Sequence, residues 1–517
     1  MWAYPEIRSL ADIPRFHARL HPDKPALLFS DRLTTFRELD LASNRIANAV
    51  LSLQLPPDSR IAFLGKNSDI FMIVLFGVMK AGLTLVPLNW RLALPEIIAV
   101  LEDSSASVLF FENDATSDIE ALVCAVPAVR SLEIGAGSLS WPHLEDWLDG
   151  FAYDDPQVPV TGSATALQIY TSGTTGMPKG VELTHEGFNY ILLNEHLSPD
   201  LGWQERDVFL FALPNFHLAG VGMALQAIHS GVPLSIITRF DSLHAIQTIE
   251  KTKVSVLYLV PSAIHLLLEE PVAAMADFAS LRLIMYAGSP ITPVLITRAL
   301  ERMSCRFLQI YGATETSSAV TVLAPEDHRL DDRAVLSSCG KPVGLIEVKV
   351  LDANGRLVPN GEVGEFWIRT PGIMKGYWRK PKETADVLHH GWYKSGDAGY
   401  RTAEGFLFLV DRIKDMVISG GENVYSAEVE RVVSEHPNVQ QVAIIGLPDE
   451  RWGEAVSAVV ILKSGATLSE EELVQFCRPR LAGYKIPRRL LVTDAFPMSD
   501  SGKILKRELR ERYRTLS

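Results

Sequence analysis

Hydrophobic positions along the chain recur at two spacings, one that favours helices and one that favours buried strands. Between residues 16 and 53, Leu39, Ile46 and Val50 belong to an apolar series that returns every three or four positions. This spacing predicts two amphipathic helices around a short hairpin. Apolar runs then alternate with helical stretches: strands are predicted at 60–64, 84–87 and 107–111, and helices at 70–81 and 95–101.

The alternation of helix and strand continues through the middle of the chain. Strands are predicted at 208–212, 232–237, 254–259, 281–286 and 305–310, and helices at 242–251 and 293–302. Such an alternation is typical of a doubly wound α/β fold whose strands are mostly parallel. The predicted fold class is therefore α/β, with doubly wound sheets in a large N-terminal domain.

The pattern changes near residue 338. Short apolar runs at 347–351, 364–368 and 406–409 are separated by turns rich in glycine, which predicts a small antiparallel β region over 338–410. A compact tail follows, with helices predicted at 427–436 and 469–477, strands at 439–445 and 455–462, and a basic end. We place the domain boundary at Lys414, between an N-terminal domain, 1–413, and a small mobile α+β domain, 414–517.

Composition limits the kind of protein that this chain can be. With 517 residues, of which 47% are hydrophobic and 21% charged, it can bury a large core in two or three domains. Its net charge of −13 disfavours nucleic acid as the main partner. The four cysteines form no Cys-x-x-Cys pair, so we expect buried, reduced thiols in a cytoplasmic protein. The apolar segment 70–88 is interrupted by Gly77, Lys80 and Gly82, which favours a buried helix and strand over a membrane span.

The segment Tyr170–Gly180 concentrates groups that bind phosphate. It contains four serine and threonine hydroxyls, three glycines and one ammonium group, contributed by Thr171, Ser172, Gly173, Thr174, Thr175, Gly176, Lys179 and Gly180. Glycine lets backbone N–H groups converge on an anion, while hydroxyls and lysine add donors and charge. Apolar runs on both sides, 166–170 and 181–183, predict strands and therefore a rigid loop. Lys179 is followed by glycine instead of serine or threonine, which disfavours a P-loop NTPase.

Three further loops follow predicted strands, at the edge where open α/β sheets bind ligands. They are Leu213–His217, Ala287–Pro290 and Tyr311–Thr316. Each loop alone is weak support for a site, because glycine is common in loops of every kind. Their order along the chain gives them more weight.

Together with four C-terminal motifs, these segments resemble the adenylate-forming enzymes, which include acyl-CoA synthetases, peptide-synthetase adenylation domains and luciferases. The additional motifs are Trp392–Asp397, Asp411–Asp415, Ser419–Asn423 and Ser501–Lys503. The resemblance extends from Tyr170 to Lys503 and implies that the chain activates a carboxylic acid with ATP and Mg²⁺. Because a carboxylate and the α-phosphate are both anions, this reaction depends on positioning and on neutralisation of charge.

The resemblance also implies roles for individual residues in the nucleotide step. Catalytic roles are implied for Lys503, Thr314, Glu315 and His217, and ATP contacts for Thr171, Ser172, Gly173, Thr174, Thr175, Gly176, Lys179, Gly288, Ser289, Tyr311, Gly312, Asp397 and Arg412. Glu315 is expected to bind Mg²⁺ through a hard carboxylate oxygen. Tyr311 is expected to stack on adenine, and Asp397 with Arg412 to hold the ribose. Lys503 is expected to bridge the carboxylate and the α-phosphate.

For the second half-reaction, the family pattern implies that the C-terminal domain rotates about Lys414. Lys503 then leaves the site, and a loop containing Ser419, Gly420 and Gly421 admits the thiol of coenzyme A. Glycine at these positions lets the pantetheine chain pass close to the backbone. Three basic residues of the tail either contact the CoA phosphates or form a solvated surface: Lys485, Arg488 and Arg489.

The acyl pocket that the family pattern implies consists of a histidine and small or apolar residues: His217, Ala219, Met223, Gly288, Gly312, Ala319 and Val320. None of these residues has a carboxylate or ammonium side chain, which favours an acid with an apolar tail. Small residues after His217 leave depth, so we expect a medium- or long-chain fatty acid. An aryl acid, of the benzoate or cinnamate type, is the alternative.

Coenzyme A is the expected acceptor, and the thiol of a separate carrier protein is the alternative. Phe240–Leu243 superficially resembles a carrier attachment site, but it lacks the preceding glycines. We therefore predict a helix start at this point, capped by Asp241 or Ser242.

Two other classes of protein share parts of this pattern. A luciferase-like oxygenase has the same motifs, and nothing in this sequence supports that activity. A nucleotide-binding scaffold without catalysis predicts damage at Lys503, Glu315 or Asp397, and all three residues are intact. Because homodimers are common in the family, we also consider self-association.

Overall fold

In this computed structural model, the structure describes residues 4, 6–116, 118–135, 141–171, 178–190, 202–288, 291–413, 415–419, 422–449, 451–498 and 504–514. The chain forms two units. Unit 1 comprises Met1–Glu347 and Ile368–Tyr393, and unit 2 comprises Val348–Trp367 and Lys394–Ser517. The predicted boundary residue Lys414 lies outside the described residues, so the division into domains 1–413 and 414–517 stays a prediction.

Strands and helices occupy most of the described chain. The strands are β1 (Pro25–Phe29), β2 (Arg32–Thr35), β3 (Arg60–Leu64), β4 (Thr84–Pro87), β5 (Ala106–Glu112), β6 (Arg130–Ile134), β7 (Thr165–Thr171), β8 (Lys179–Thr184), β9 (Phe209–Phe211), β10 (Leu234–Ile236), β11 (Val256–Leu259), β12 (Leu283–Ala287), β13 (Arg306–Ala313), β14 (Ser318–Leu323), β15 (Lys341–Pro342), β16 (Glu347–Leu351), β17 (Gly364–Arg369), β18 (Gly376–Tyr377), β19 (Leu388–His389), β20 (Trp392–Arg401), β21 (Leu407–Arg412), β22 (Val417–Ser419), β23 (Glu422–Val424), β24 (Val439–Asp449), β25 (Gly453–Leu462) and β26 (Arg489–Val492). The helices are α1 (Asp12–Leu20), α2 (Phe36–Leu51), α3 (Asp69–Lys80), α4 (Leu94–Ser104), α5 (Ile119–Ala125), α6 (Leu144–Leu148), α7 (Leu218–His229), α8 (Ser242–Thr252), α9 (Pro261–Glu269), α10 (Pro293–Met303), α11 (Arg333–Leu336), α12 (Pro381–Val387), α13 (Ser426–Ser434), α14 (Glu470–Cys477) and α15 (Lys506–Tyr513).

Two mostly parallel sheets form the centre of unit 1. A nine-stranded sheet has the order β15-β14-β13-β12-β11-β9-β10-β1-β2, and a seven-stranded sheet has the order β18-β8-β7-β4-β3-β5-β6. Antiparallel neighbours lie at the ends of these orders, where β2, β14, β15, β8 and β18 pair. The predicted α/β class with doubly wound sheets is confirmed.

Helix starts in unit 1 follow from local sequence. Thr35 caps α2 by accepting a hydrogen bond from the N–H of Glu38, whose side chain accepts from the N–H of Thr35 in return. Asp241 caps α8, and its carboxylate accepts from the N–H of His244 at 2.9 Å. The segment Phe240–Leu243 is therefore a helix start, as predicted.

The apolar segment 70–88 forms buried α3 and β4. Lys80 at the end of α3 is fully buried, and its ammonium donates to Asp40 Oδ1 at 2.5 Å and to Asn44 Oδ1 at 2.6 Å. Burial lowers the pKa of Lys80 to about 8. Among the residues that the structure describes, no helix combines the length and the apolarity that a bilayer span requires.

Unit 2 contains the C-terminal sheet, which has the order β23-β22-β25-β24 with β26 beside β25. A cluster that includes Val429, Val433, Ile444 and Leu473 forms the core between this sheet and its helices. Strand β20, which pairs antiparallel with β21, was not predicted from the sequence. Polar residues interrupt its apolar alternation, so the period of two that marks a strand is lost.

The expectation that all four cysteines are buried is wrong for Cys124. Cys339 and Cys477 are buried and Cys305 is partly buried, but Cys124 is exposed. Helix α5 buries Leu122 and Val123, and the next residue of a helix points about 100° away from its neighbour. Cys124 therefore faces solvent.

Candidate active site

The glycine-rich segment is the connection of a β-hairpin. Strands β7 and β8 pair antiparallel, and the last pair before the connection is Thr171 with Lys179. The predicted strands on both sides of the segment are confirmed. The residues predicted to contact phosphate within the connection lie outside the described residues: Ser172, Gly173, Thr174, Thr175 and Gly176.

A buried ionic group supports the base of this hairpin. Arg60 is 3% exposed, and its guanidinium donates to Glu182 at 2.7 Å and to Gln168 at 3.0 Å. The same guanidinium lies over the ring of Trp378, with its carbon 3.3 Å from the ring centroid. Because each charge has a partner within the core, the strands that carry Lys179 are held in fixed positions.

Tyr170, the residue opposite Gly180, is also anchored. Its hydroxyl donates to Asp103 Oδ2 at 2.7 Å and accepts from Gln168 Nε2 at 3.1 Å. Burial, together with the hydrogen bond to Asp103, raises the pKa of Tyr170 above its usual value. The hydroxyl therefore remains a neutral donor to that carboxylate at physiological pH.

The predicted motif Tyr311–Thr316 ends in a tight turn after β13. Residues Thr314–Thr316 make one turn of 3-10 helix, and Thr316 Oγ1 donates to the carbonyl of Ala313 at 2.9 Å. The turn presents Glu315, whose side chain is partly buried. One of its carboxylate oxygens accepts a hydrogen bond from the hydroxyl of Tyr377 at 2.9 Å.

Tyr377 brings the two motifs together, and the sequence analysis missed it. It pairs with Val181 of β8, and the ammonium of Lys179 lies 5.0 Å from the centroid of its ring. The side chain of Tyr377 therefore contacts Glu315 through its hydroxyl and Lys179 through the face of its ring. No spacing rule points to Tyr377, because it lies outside the glycine-rich motifs; its position in a two-residue strand becomes visible only in three dimensions.

The two motifs predicted to contact adenine follow neighbouring strands of the nine-stranded sheet, at the carboxyl ends of those strands. Ala287 pairs with Ile310 in the parallel register of β12 and β13, so Gly288 and Tyr311 follow directly on neighbouring strands. Gly288 has a φ of +88°, which glycine adopts without strain. Tyr311 is partly buried and Gly312 is exposed. Ser289 lies outside the described residues.

The residues predicted to line the acyl pocket lie in or next to one helix, α7, and three strands, β12, β13 and β14. His217 precedes the first residue of α7, and the centroid of its ring lies 4.6 Å from that of Phe216. Ala219 and Met223 are four residues apart and lie on one face of the helix. Gly288 follows β12, whereas Gly312, Ala319 and Val320 lie on β13 and β14, where Gly312 pairs with Ala319. Both Met223 and Val320 are buried.

In unit 2, the two residues predicted to hold the ribose contact each other. Asp397 and Arg412 are opposite each other in β20 and β21, and Arg412 Nε lies 2.6 Å from Asp397 Oδ1. Asp397 is 2% exposed, and its N–H donates to Ser395 Oγ at 3.0 Å. Ser395 Oγ in turn donates to the carbonyl of Phe366 at 2.7 Å. These hydrogen bonds fix the backbone at Asp397, whose carboxylate contacts Arg412.

The predicted CoA loop joins two short strands of unit 2. Ser419 is buried at the end of β22 and pairs with Glu422 of β23. Lys414, Gly420, Gly421 and Lys503 lie outside the described residues. The three basic residues of the tail each contact a partner within unit 2: Lys485 contacts Glu428 at 2.7 Å, Arg489 contacts Asp449 at 3.5 Å, and Arg488 lies 4.1 Å from the ring centroid of Trp452.

Glu315 fits the kind of magnesium site that nucleotide enzymes use. Among the described residues, no group of three or more histidine, cysteine or acidic side chains is arranged to hold a metal ion. Mg²⁺ does not need such a group, because it commonly binds one or two carboxylates together with substrate phosphates and water. A single carboxylate that is oriented by a tyrosine hydroxyl suits that chemistry.

Comparison with known proteins agrees with this geometry. Residues 15–378 match the family described as AMP-binding enzyme, and residues 428–503 match the AMP-binding enzyme C-terminal domain. The chain is 38% identical to the fatty acid–[acyl-carrier-protein] ligase ScoC of Streptomyces coeruleorubidus, over 99% of this chain and 97% of that protein. It is 37% identical to a feruloyl-CoA synthase of Amycolatopsis sp., over 98% and 99% of the two chains. The solved structure of o-succinylbenzoate CoA synthetase (MenE) of Bacillus subtilis with ATP and magnesium has a TM-score of 0.84 and 30% identity, over 96% of this chain and 99% of that one.

These matches confirm the adenylate-forming class that the motifs and the fold indicated. The chain belongs to the AMP-binding enzyme family. It is an AMP-forming acid–thiol ligase, which uses ATP and Mg²⁺ to activate a carboxylic acid as an acyl-adenylate for transfer to a thiol.

Proposed function

We propose that the acid is a medium- or long-chain fatty acid and that the motif residues carry the roles implied by the family. The arrangement of Lys179, Tyr377 and Glu315 carries the nucleotide part of this proposal, since it joins a cation suited to phosphate with a carboxylate suited to Mg²⁺. The apolar character of the residues after His217 supports the choice of acid.

In the proposed first step, a carboxylate oxygen of the acid attacks the α-phosphorus of ATP. A C–O–P bond forms, the bond from the α-phosphorus to its bridging oxygen breaks, and pyrophosphate leaves. Lys179 binds the departing phosphates, Asp397 and Arg412 hold the ribose, and Lys503 offsets the charge that builds on the α-phosphate. Glu315 would hold Mg²⁺, which would supply positive charge against the phosphates.

In the proposed second step, the sulfur of CoA attacks the acyl carbon of the adenylate. A thioester bond forms, the bond from the acyl carbon to the phosphate oxygen breaks, and AMP leaves. The proton of the thiol passes to solvent, and the loop that contains Ser419, Gly420 and Gly421 admits the pantetheine chain. We propose that this step follows a rotation about Lys414.

Two alternatives draw support from the relatives. The name of ScoC specifies an acyl-carrier protein as acceptor, so transfer to a separate carrier protein is the second candidate for this chain. The feruloyl-CoA synthase acts on an aryl acid, so a cinnamate-type acid is the second candidate substrate. We also propose a cytoplasmic location and a homodimer. Sedimentation of the purified chain measures its oligomeric state.

One mass-spectrometric assay tests the acid and the acceptor together. The purified protein is incubated with Mg·ATP and a pool of acids, from acetate to long-chain fatty acids, benzoate and cinnamates. Parallel reactions contain no thiol, CoA, or an acyl-carrier protein with its pantetheine arm. We expect a fatty acyl-CoA only with CoA, and about 100- to 1,000-fold less of it with Lys503→Ala.

Each other outcome selects a different conclusion. If acyl-adenylate accumulates in the presence of CoA but is consumed in the presence of the carrier protein, the carrier protein is the acceptor and CoA is not. An aryl thioester as the main product overturns the fatty acid. Absence of any adenylate across the pool contradicts the proposed substrate classes.

A further inference from the structure

Tyr377 contacts both charged groups that are assigned to the nucleotide phosphates and the metal. Its hydroxyl donates to Glu315 Oε1 at 2.9 Å, and its ring centroid lies 5.0 Å from Lys179 Nζ. A lysine ammonium within about 6 Å of an aromatic ring is attracted by the negative face of that ring. One side chain therefore interacts with a carboxylate through its edge and with an ammonium through its face.

The backbone around Tyr377 is fixed from two directions. Tyr377 is 8% exposed, and its N–H donates to Thr384 Oγ1 at 2.9 Å. The N–H of Met374 donates to the carbonyl of Glu315 at 2.8 Å. The segment 374–378 also makes two hydrogen bonds to β8: Lys375 N–H to the Glu182 carbonyl at 2.9 Å, and Trp378 N–H to the Gly180 carbonyl at 2.8 Å.

A purely structural explanation accounts for only part of this arrangement. A buried tyrosine hydroxyl needs an acceptor, and any neighbouring carbonyl can provide one. Here the acceptor is the carboxylate of Glu315 in the turn 314–316. The ring faces Lys179, the first residue of β8 after the glycine-rich connection. Both contacts therefore involve charged side chains that the proposed reaction uses.

We propose that Tyr377 is a positioning residue for the nucleotide step. Its hydroxyl orients the Glu315 carboxylate toward the cation, and its ring restricts the Lys179 ammonium to positions that suit phosphate. Long side chains lose rotamer freedom when they bind a ligand, so a contact that holds them beforehand increases affinity. This inference rests on the proposed roles of Glu315 and Lys179.

The test separates the hydroxyl from the ring. Tyr377→Phe removes the hydroxyl and keeps the ring, whereas Tyr377→Leu removes both. Binding of a non-hydrolysable ATP analogue is measured by calorimetry over a series of Mg²⁺ concentrations, without any acid. For Tyr377→Phe we expect the Mg²⁺ concentration at half-maximal enhancement to rise about tenfold, because partners that orient a metal ligand contribute factors of about 10–100 in metal affinity. Binding without Mg²⁺ should be unchanged.

For Tyr377→Leu we expect weaker binding without Mg²⁺ as well, because the cation–π contact with Lys179 is lost. Tyr153→Phe is the matched control, since Tyr153 is 51% exposed and the substitution likewise removes only a hydroxyl. Melting of each unliganded variant is recorded. If Tyr377→Leu does not fold, the comparison of Tyr377→Phe with Tyr153→Phe still decides whether the hydroxyl acts.

A double variant distinguishes failure of this inference from failure of the site assignment. If Tyr377 acts through Glu315, then Tyr377→Phe/Glu315→Gln has the same Mg²⁺ dependence as Glu315→Gln alone. A wild-type Mg²⁺ curve for Tyr377→Phe, beside a strong effect of Glu315→Gln, overturns the role of Tyr377 and leaves the metal assignment intact. A wild-type curve for Glu315→Gln overturns the proposed metal ligand. Independent, additive effects of the two substitutions also contradict the inference.

Discussion

Asp397 and Arg412 face each other across β20 and β21, with 2.6 Å between Arg412 Nε and Asp397 Oδ1. If the carboxylate accepts from the ribose hydroxyls, Asp397→Asn weakens ATP binding about tenfold or more, because hydrogen bonds to a charged acceptor contribute about 1.5–3 kcal/mol. Calorimetry with an ATP analogue measures the change. Arg412→Lys keeps the positive charge and serves as the comparison. Equal affinity of Asp397→Asn and the wild type contradicts the ribose role.

Lys503→Ala is expected to separate the two half-reactions. Acyl-adenylate formation should fall about 100- to 1,000-fold, the range seen when one preorganised donor to a transition-state anion is removed. Conversion of chemically prepared acyl-adenylate to the thioester should persist, since Lys503 is expected to leave the site for that step. Arg507→Ala is a nearby control, because Arg507 is half exposed and lies 3.8 Å from Glu511 on its own helix face. Equal losses in both half-reactions refute this division of roles.

The ion pair of Arg60 and Glu182, at the base of the hairpin of β7 and β8, predicts an asymmetric effect on stability. Arg60→Met leaves Glu182 nearly buried without the cation 2.7 Å away, and we expect the free energy of unfolding to fall by about 3–5 kcal/mol. The double variant Arg60→Met/Glu182→Leu should recover much of this loss, because no charge remains buried. Urea denaturation of the three proteins measures both effects. A double variant that is less stable than Arg60→Met argues against this explanation.

Gly180 is packed against the side chain of Gln168. A Cβ added at this position would lie 2.6 Å from Gln168 Nε2, so alanine must displace the side chain that bonds both Arg60 and Tyr170. We expect Gly180→Ala to cost about 1–3 kcal/mol of unfolding free energy. Gly483→Ala is the control, because no atom lies within 4 Å of its added Cβ. Similar urea midpoints for the two variants rule out the steric account.

Buried strands were predictable because parallel strands covered on both faces are continuous apolar runs. The runs at 60–64 and 84–87 coincide with β3 and β4. Strand β20 was missed because Lys394 to Asp397 are mostly polar, and backbone pairing with β21 forms the strand without an apolar face. Local pattern alone cannot predict such a strand.

Site prediction had a similar limit. The glycine-rich loops identified Lys179 and Glu315, because those loops carry their chemistry in consecutive residues. Tyr377 acts through contacts with residues that are distant in sequence, so no window of the sequence contains the arrangement. The register of β8 and β18 is what brings the tyrosine to the hairpin.

Buried histidines predict how stability changes with pH. Burial lowers the pKa of His185 to about 4, and its Nδ1 accepts from the N–H of Leu10 at 3.2 Å. Between pH 6.5 and 4 the unfolded chain binds a proton that the folded chain does not, so stability is complete above this window and falls as the pH is lowered through it. His17, whose pKa burial also lowers to about 4, acts in the same window.

From pH 7.5 to pH 5 we expect His185 to account for a loss of about 2 kcal/mol in unfolding free energy. His185→Gln keeps an acceptor for Leu10 and should reduce the pH dependence by that amount. His265→Gln, at an exposed position, should leave it unchanged. Urea denaturation at the two pH values provides the comparison, and identical pH dependence in all three proteins excludes His185 as a source.

The short strand β18 has a consequence for solubility. It covers the free edge of β8 at the end of the seven-stranded sheet, through hydrogen bonds from Lys375 and Trp378. An uncovered edge strand offers its backbone groups to another chain and promotes aggregation. The segment that bears Tyr377 thus also protects the sheet from intermolecular pairing. Variants that displace it should first reduce the yield of soluble protein, so recovery after centrifugation is an early indicator of whether this segment is seated.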